Sequence, residues 1–410
     1  MTTGQLPSAA RRLSRRHLLL GGAAAGIGAA GAIGIDVAAR GGGVNPLSAA
    51  ESTLNGSETV EFFGSHQAGI ETDPQGHVTL VALTLDDAVD RAALGRMMRI
   101  LTGDAARLTR GMGALADSEP ELAVVPAHLT ITFGFGQDLV IRASGESPQW
   151  LRPLPAFTVD RLDPAWTGGD LLLQIAADDP MTVTHATRML LKDLRSFATV
   201  RWLQKGFRRA PGSEKPGTTM RNLFGQVDGT ANPVPGTEDF DTLVWNAADN
   251  PPWLAGGTGF VLRRINMDLD KWDRLDRSGR ESAVGRTLTN GAPLTGRDER
   301  DDPDFEATTS LGFPVIPEYS HLRRARSENR TERIVRRGYN YDDSPAGADV
   351  SNSGLLFVSY QADVDRQFVP VQRRLDELDL LNQWITPIGS AVFAIPPGCS
   401  VGGYIGDTLF

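Results

Sequence analysis

Downstream of residue 76 the chain alternates between two hydrophobic rhythms. "HVTLVALTL" (His77 to Leu85), "LTITFGFG" (Leu129 to Gly136), "DLLLQIAAD" (Asp170 to Asp178) and "FATVRWLQKGF" (Phe197 to Phe207) are apolar and β-branched runs of strand length. Two stretches between them have helical spacing. In the segment after Asp86, Val89, Leu94, Met97, Met98 and Leu101 share one face, with Asp86 or Asp87 offered as N-cap. "PMTVTHATRMLLKDLRS" carries Pro180 near its start, where proline is tolerated. The order β-α-β-β-α-β is the split βαβ, ferredoxin-like pattern.

The second half repeats it. "GTGFVLRRINMDL" (Gly257 to Leu269), "GLLFVSYQA" (Gly354 to Ala362) and "SAVFAIPP" (Ser390 to Pro397) read as strands. A short helix is predicted over Arg274 to Arg286, and a longer one over Asp365 to Trp384 with Pro370 in its first turns or kinking it. The expectation is an α+β protein of two similar halves, 57–223 and 224–410, forming a pseudo-symmetric sandwich with a cleft between them. The stretches 276–312 and 325–333 are polar, turn-rich and long enough to suggest functional loops.

The N-terminus follows other rules. A basic region and then the weakly apolar, Gly- and Ala-rich run from Leu18 to Ile35 form signal-peptide grammar, too marginal for a good membrane span. "SRRHLLL" resembles a twin-arginine export signal with Arg15 and Arg16 as the pair. The expectation is a signal peptide over 1–40, a flexible leader over 41–56, and an exported mature protein that uses the twin-arginine machinery.

Composition narrows the function classes. Of 410 residues, 40% are hydrophobic and 22% charged, ordinary for a chain that buries a sizeable core. A formal net charge of −9 argues against a nucleic-acid partner. A single cysteine, Cys399, excludes an intramolecular disulfide and a cysteine-rich metal site.

The candidate chemistry is concentrated in two places. In "RNLFGQVDGTANP" (Arg221 to Pro233), Asp228 stands between Gly225 and Gly229. It is either a tight surface turn or a carboxylate presented to a ligand. In "SHLRRAR", His321 has Arg323, Arg324 and Arg326 close behind, followed by Arg336 and Arg337 in "RIVRRGYNY". This is a solvated basic loop, or a histidine that ligates the metal of an anionic cofactor whose carboxylates pair with arginines. His66, His77, His128 and His185 stand in less suggestive contexts, and no HExxH, Walker or GxSxG motif occurs.

These two stretches belong to a longer series: "FFGSHQAGI", "RNLFGQVDGTANP", "RRINMDLDKWDR", "GRTLTNGAPL", "DDPDF", "SHLRRA", "RIVRRGYNY", "GLLFVSYQ", "RQFVPVQRRL" and "AVFAIPPG". In this order, over about 58–398, they resemble the dye-decolourising peroxidases, and most closely the exported branch that includes deferrochelatases. The resemblance implies two ferredoxin-like halves of the dimeric α+β barrel type and haem b (iron protoporphyrin IX) in the C-terminal half. It implies hydrogen peroxide as oxidant and dyes or other aromatic compounds as electron donors.

Residue by residue, the resemblance makes Asp228 the distal acid–base group and His321 the iron ligand. Gly229, Thr230 and Ala231 would lie along the haem edge. Arg336 matches the distal arginine, with Arg337 the competitor. Leu355 and Phe357 match apolar residues of the distal pocket. Relatives often carry "LANP" after the proximal histidine; here the run is "LRRARSENR", with Arg326 and Ser327 as substitutes. Asp379 is the candidate partner of the proximal imidazole, with Asp376 and Glu377 competing. Tyr360, Tyr339 and Trp384 are candidates for electron exit. One other activity fits the same residues, release of iron from haem; haem carriage without turnover is a further alternative, which Asp228 and Arg336 speak against because carriage needs neither.

Overall fold

The computed structural model describes Met1 and residues 56–144, 147–245, 249–345 and 351–410. The segment expected to be an export signal and the leader expected after it lie, from residue 2 to residue 55, outside the described residues. Leu54–Phe410 is one compact unit.

In the first half, β1 (His77–Leu85), α1 (Arg91–Leu108), β2 (Thr130–Phe135), α2 (Gln137–Ser144), β3 (Leu171–Ala177), α3 (Pro180–Leu194) and β4 (Ala198–Phe207) follow in sequence. The strands align antiparallel in the order β2-β3-β1-β4. The second half runs α4 (Glu238–Val244), β5 (Thr258–Met267), α5 (Arg277–Val284), α6 (His321–Ala325), β6 (Val335–Arg336), β7 (Tyr339–Asp343), β8 (Asn352–Gln361), α7 (Val369–Leu378) and β9 (Ile385–Ile395). Its four long strands take the corresponding order β7-β8-β5-β9.

The α+β barrel that the resemblance implies is present, and it replaces the sandwich read from the pattern of the two halves. Edge strand β2 pairs with β9, β4 pairs with β7, and β5 pairs with β8, so eight strands close into one barrel. Closure follows from edge chemistry, because an open edge leaves a row of unpaired backbone groups. Period-two alternation then sorts the strand residues. Leu80, Ala82, Phe260, Leu262, Leu356, Val358, Tyr360 and Phe393 fill the interior. Val81, Leu83, Ile131, Phe133, Leu173 and Ile175 face outward beneath α1 and α3. The outer face of the second half meets its own helices, and that is where open space remains.

Three local expectations also change. The N-cap of α1 is Asp90, whose carboxylate accepts from the Ala93 N–H at 2.7 Å, rather than Asp86 or Asp87. The helices α2 and α4 were not anticipated. The helix expected over 365–384 is broken into a π-type turn (Val364–Phe368), α7, and a 3-10 turn (Leu380–Gln383). Pro370 sits in the first turn of α7, where its missing N–H costs nothing.

Each seam between the halves has one registered pair, Phe135 with Ala394 and Phe207 with Asn340. The segment 67–75 straps both. Gln67 donates to the Phe133 and Pro396 carbonyls and accepts from the Phe133 N–H. At the other end Arg337 donates to the carbonyls of Thr72 and Asp73 and to Gln75 Oε1.

Between α1 and α3 two carboxyl groups meet. Burial, then the charge of Asp104 and a hydrogen bond with it, push Asp193 up to about 7. Asp104 is itself buried and accepts from the Leu115 N–H. An unfolded aspartate ionises near pH 4. Stability from this source is therefore complete below about pH 4 and is lost as pH rises through about 7. Melting temperatures at pH 5.5 and 8.5 test it: Asp193→Asn is expected to shrink the drop between them. An unchanged drop would refute the shared proton.

Candidate active site

A cavity of about 810 Å³ lies between the outer face of the second half's sheet and its helices. Ile265 and Met267 of β5 and Leu355 and Phe357 of β8 line it, while their neighbours Arg264, Leu356 and Val358 point the other way. Leu322 and Ala325 of α6 and Val371 and Leu375 of α7 contribute the facing wall. Arg286, Arg326, Arg330, Arg333 and Arg336 also line it. The expected cleft between the halves is thus replaced by space beneath the second half's own helical layer.

Asp228 enters this cavity from a hairpin. Arg221 bridges antiparallel to Val227, and the Asp228 N–H donates to the Met220 carbonyl at 2.8 Å. Asn222 organises the turn, its Oδ1 accepting from the N–H groups of Phe224 and Gln226. Gly225 closes it at φ 78°, a left-handed conformation that favours glycine. The bland reading of Asp228 as a self-bonded surface turn fails on this geometry. The turn is made by Asn222 and Gly225, and the Asp228 carboxylate instead faces Arg336, with Nη1 and Oδ1 3.1 Å apart.

Strand alternation separates the two adjacent arginines. Val335 packs into the barrel and Arg337 is buried against the strap, so Arg336 between them projects to the cavity. Asn232 fixes its height. The Asn232 amide donates to the Arg336 carbonyl at 2.6 Å and accepts from the Arg336 N–H at 3.0 Å.

Among the described residues His321 is the one histidine lining the cavity. Its Nδ1 lies 2.6 Å from Asp379 Oδ2, and the Asp379 side chain is only 1% exposed. The break after α7 creates this contact. Asp379 ends the helix and its other oxygen accepts from the Leu381 N–H, while Leu380 N–H ties the turn to Tyr319. Burial opposes protonation of His321, but Asp379 outweighs it and holds the imidazole pKa above its ordinary value. The competing carboxylates are engaged elsewhere, Asp376 with Thr158 and Val159 and Glu377 with Arg324. His66 stacks on Trp245, His128 pairs with Asp178, and His185 is buried against Asp117.

Gly229, Thr230, Ala231, Arg326, Ser327, Leu355 and Phe357 all line the cavity. Arg326 is half exposed, 3.5 Å from Asp302, and Ser327 donates to Glu332. Tyr360 and Tyr339 lie fully buried in the barrel, away from the cavity wall, and Trp384 packs edge-on against Trp272. Sequence reasoning passed over Asn232, Arg286 and Glu299. Asn232 lay within the quoted "GTANP" and Arg286 within "GRTLTNGAPL". Glu299 carried no signal, since it lies in a polar loop and its partners are distant in sequence. Burial lowers the Arg286 pKa, Arg336 and Arg326 add to this, and Glu299 opposes it.

The donor set suits a flat, apolar, anionic cofactor with one metal. The cavity volume falls within the roughly 300–1,000 Å³ usual for ligand sites. It has apolar walls, arginines to meet carboxylates, and one imidazole whose Nδ1 is engaged so that Nε2 is left for a metal. No cluster of three or more metal-ligating residues occurs among the described residues.

Comparisons with known proteins agree with this architecture. Family models described as "Dyp-type peroxidase, N-terminal" and "Dyp-type peroxidase, C-terminal" match residues 67–208 and 219–400. The chain belongs to the Dyp-type peroxidase family, and it is a peroxidase, an oxidoreductase acting on peroxide and an electron donor. It is 40% identical over 370 residues to a dye-decolorizing peroxidase of Thermobifida fusca, covering 86% of this chain and 85% of that one. It is 36% identical over 378 residues to a deferrochelatase of Escherichia coli K12, covering 86% and 88%. Among solved structures, a DyP-type peroxidase from Cellulomonas bogoriensis superposes with a TM-score of 0.84 at 54% identity, covering 87% of this chain and 99% of that one. A DyP-type peroxidase from Streptomyces coelicolor gives 0.83 at 40% identity, covering 89% and 99%.

Proposed function

We propose that the protein is a haem b peroxidase that reduces hydrogen peroxide and oxidises dyes, phenolics or similar one-electron donors at this cavity. The observation that carries the reading is the presence of two polar pairs, Asp228–Arg336 and His321–Asp379, in the lining of one cavity. Structures of the related DtpA from Streptomyces lividans, 40% identical, are described as ferric and oxyferrous, which supports an iron cofactor here.

His321 would hold the iron through Nε2. Asp379 keeps a proton on Nδ1, fixes the ring's orientation and makes it a stronger donor. Leu355, Phe357, Ile265 and Met267 would cover the macrocycle, with Gly229, Thr230 and Ala231 along its edge. Arg326 and its neighbours at the cavity wall would meet its carboxylates, and Ser327 would lie beside them. Bound there, haem supplies the iron that accepts the oxidising equivalents of peroxide and passes them to donors one electron at a time.

The protein's own part is proton and charge handling. Asp228 takes the proton from one peroxide oxygen and returns it to the other, which leaves as water. Arg336 holds the peroxide and faces the negative charge that develops on the departing oxygen. Asn232 keeps Arg336 in register. Haem carriage alone requires none of these three polar groups in the wall, so turnover is the better reading.

The test separates the alternatives. The haem-loaded protein is mixed with peroxide and an anthraquinone dye, and separately incubated with haem while metal-free porphyrin fluorescence is followed. Peroxide-dependent dye loss with no such fluorescence is expected. Fluorescence without dye loss would favour the deferrochelatase reading.

We further infer export by the twin-arginine pathway, supported by "SRRHLLL" and the weakly apolar run behind it. Changing Arg15 and Arg16 to lysine is expected to retain the protein inside the cell. Unaltered export of that variant would reject this pathway.

A further inference from the structure

The loop that follows α5 reaches across to the Asp228 hairpin through one carboxylate. Glu299 Oε1 accepts from Thr219 Oγ1 at 2.6 Å and from Thr230 Oγ1 at 2.9 Å. Thr219 and Thr230 lie on either side of Asp228, one on each leg of its hairpin. The backbone of Glu299 is held in turn, its carbonyl accepting from Arg286 Nη1 at 2.9 Å. The same nitrogen donates to the Gly291 carbonyl at 2.6 Å. Asn290 adds a third tie, its amide donating to the Arg297 carbonyl.

The hairpin needs such a tie. Beyond Asp228 the chain turns at Gly229, φ 122°, and a side chain there would meet only Thr219 and Asn232 at van der Waals distance. Backbone pairing holds Asp228 itself on one side, through its N–H to Met220. On the far leg Asn232 ties the chain to the Arg336 backbone, Asn222 Nδ2 lies 3.5 Å from the Asp228 carboxylate, and Glu299 joins Thr230 to Thr219 across the hairpin.

We propose that Glu299 is a positioning residue for the peroxide reaction: by bridging Thr219 and Thr230 it fixes the Asp228 carboxylate opposite Arg336. This rests on the acid–base assignment of Asp228 made above. A hydrogen-bond bridge, not the charge, does the positioning, so an amide that still accepts through its oxygen retains the function. A displacement of about 1 Å at a reacting group costs on the order of a hundred-fold, and loss of the bridge is expected to cost about ten-fold.

The test uses the haem-loaded full chain with Glu299→Gln, Glu299→Ala and the double variant Thr219→Val with Thr230→Val. Amide hydrogen exchange of residues 226–231 is read in the loaded and haem-free proteins. The pH profile of the reaction with peroxide is read in the loaded protein. Glu299→Ala and the double variant are expected to exchange about ten-fold faster in this segment and to react about ten-fold more slowly with peroxide. Glu299→Gln is expected within about two-fold of the parent in both, with the same pH profile. Unchanged exchange in Glu299→Ala overturns the proposal. So does Glu299→Gln behaving like Glu299→Ala, which would make the charge the cause. Failure of the acid–base reading itself shows differently, as Asp228→Asn reacting at the parent rate while the exchange results stand.

Discussion

Replacing Arg336 by leucine or Asp228 by asparagine is expected to slow the reaction with peroxide severely while haem stays bound. Positioned acid–base catalysis is worth about 10²–10⁴-fold, and a preorganised charge facing a developing anion about 10²–10³-fold. The two side chains face each other at 3.1 Å, so neither loss is independent of the other. Arg336→Leu removes the charge that holds peroxide and also leaves Asp228 without its partner. Its effect is therefore expected to equal or exceed that of Asp228→Asn, for which water can carry the proton. Stopped-flow mixing with peroxide, followed at the Soret band, reads this step without a dye. Parent rates in both variants would return Asp228 to a structural role and remove the proposed mechanism.

The second large effect is at His321. His321→Ala is expected to weaken haem binding by at least about a hundred-fold, beyond the ten- to hundred-fold typical for loss of a group that only supports a ligand. It also strands Asp379, whose side chain is 1% exposed. Breaking a buried pair costs about 3–5 kcal/mol unless the carboxylate takes up a proton. Haem titration of the purified variant and its melting temperature measure both. Asp379→Asn keeps a hydrogen-bond partner for the ring and is expected to lose less. Retention of parent haem affinity in His321→Ala, with loss in His185→Ala, would move the iron ligand elsewhere.

Period and length made most of the fold legible. The strand β1 matches its predicted bounds, His77–Leu85, because its apolar run ends abruptly at Asp86. The α1 cap was misplaced because three aspartates compete there, and tertiary contact decides: the Asp86 N–H is bonded to the Phe197 carbonyl, which leaves Asp90 to start the helix. Barrel closure was legible through the resemblance but not from the hydrophobic pattern, because each seam rests on one residue pair separated by more than a hundred positions. The cavity residues were legible by resemblance, since Asp228, His321 and Arg336 sit in local motifs. The choice of Asp379 over Asp376 and Glu377 needed the helix break that turns it inward. Glu299 was invisible because its meaning lies wholly in Thr219 and Thr230, 80 and 69 positions earlier.

The strap over residues 67–75 bears on how the chain survives its own synthesis. When β4 leaves the ribosome, the first half is complete but β2 and β4 are naked edges. The strand that will cover β2 is β9, nearly the last element made. At about 5–20 residues per second that wait lasts on the order of ten seconds or more, long enough for edges of neighbouring chains to find each other. Gln67 is translated before β2 and occupies both the N–H and the carbonyl of Phe133 on that open side. In the finished ring Gln67 keeps both groups of Phe133 and adds the Pro396 carbonyl, so this stretch of the β2 edge is closed by the strap even after β9 has arrived.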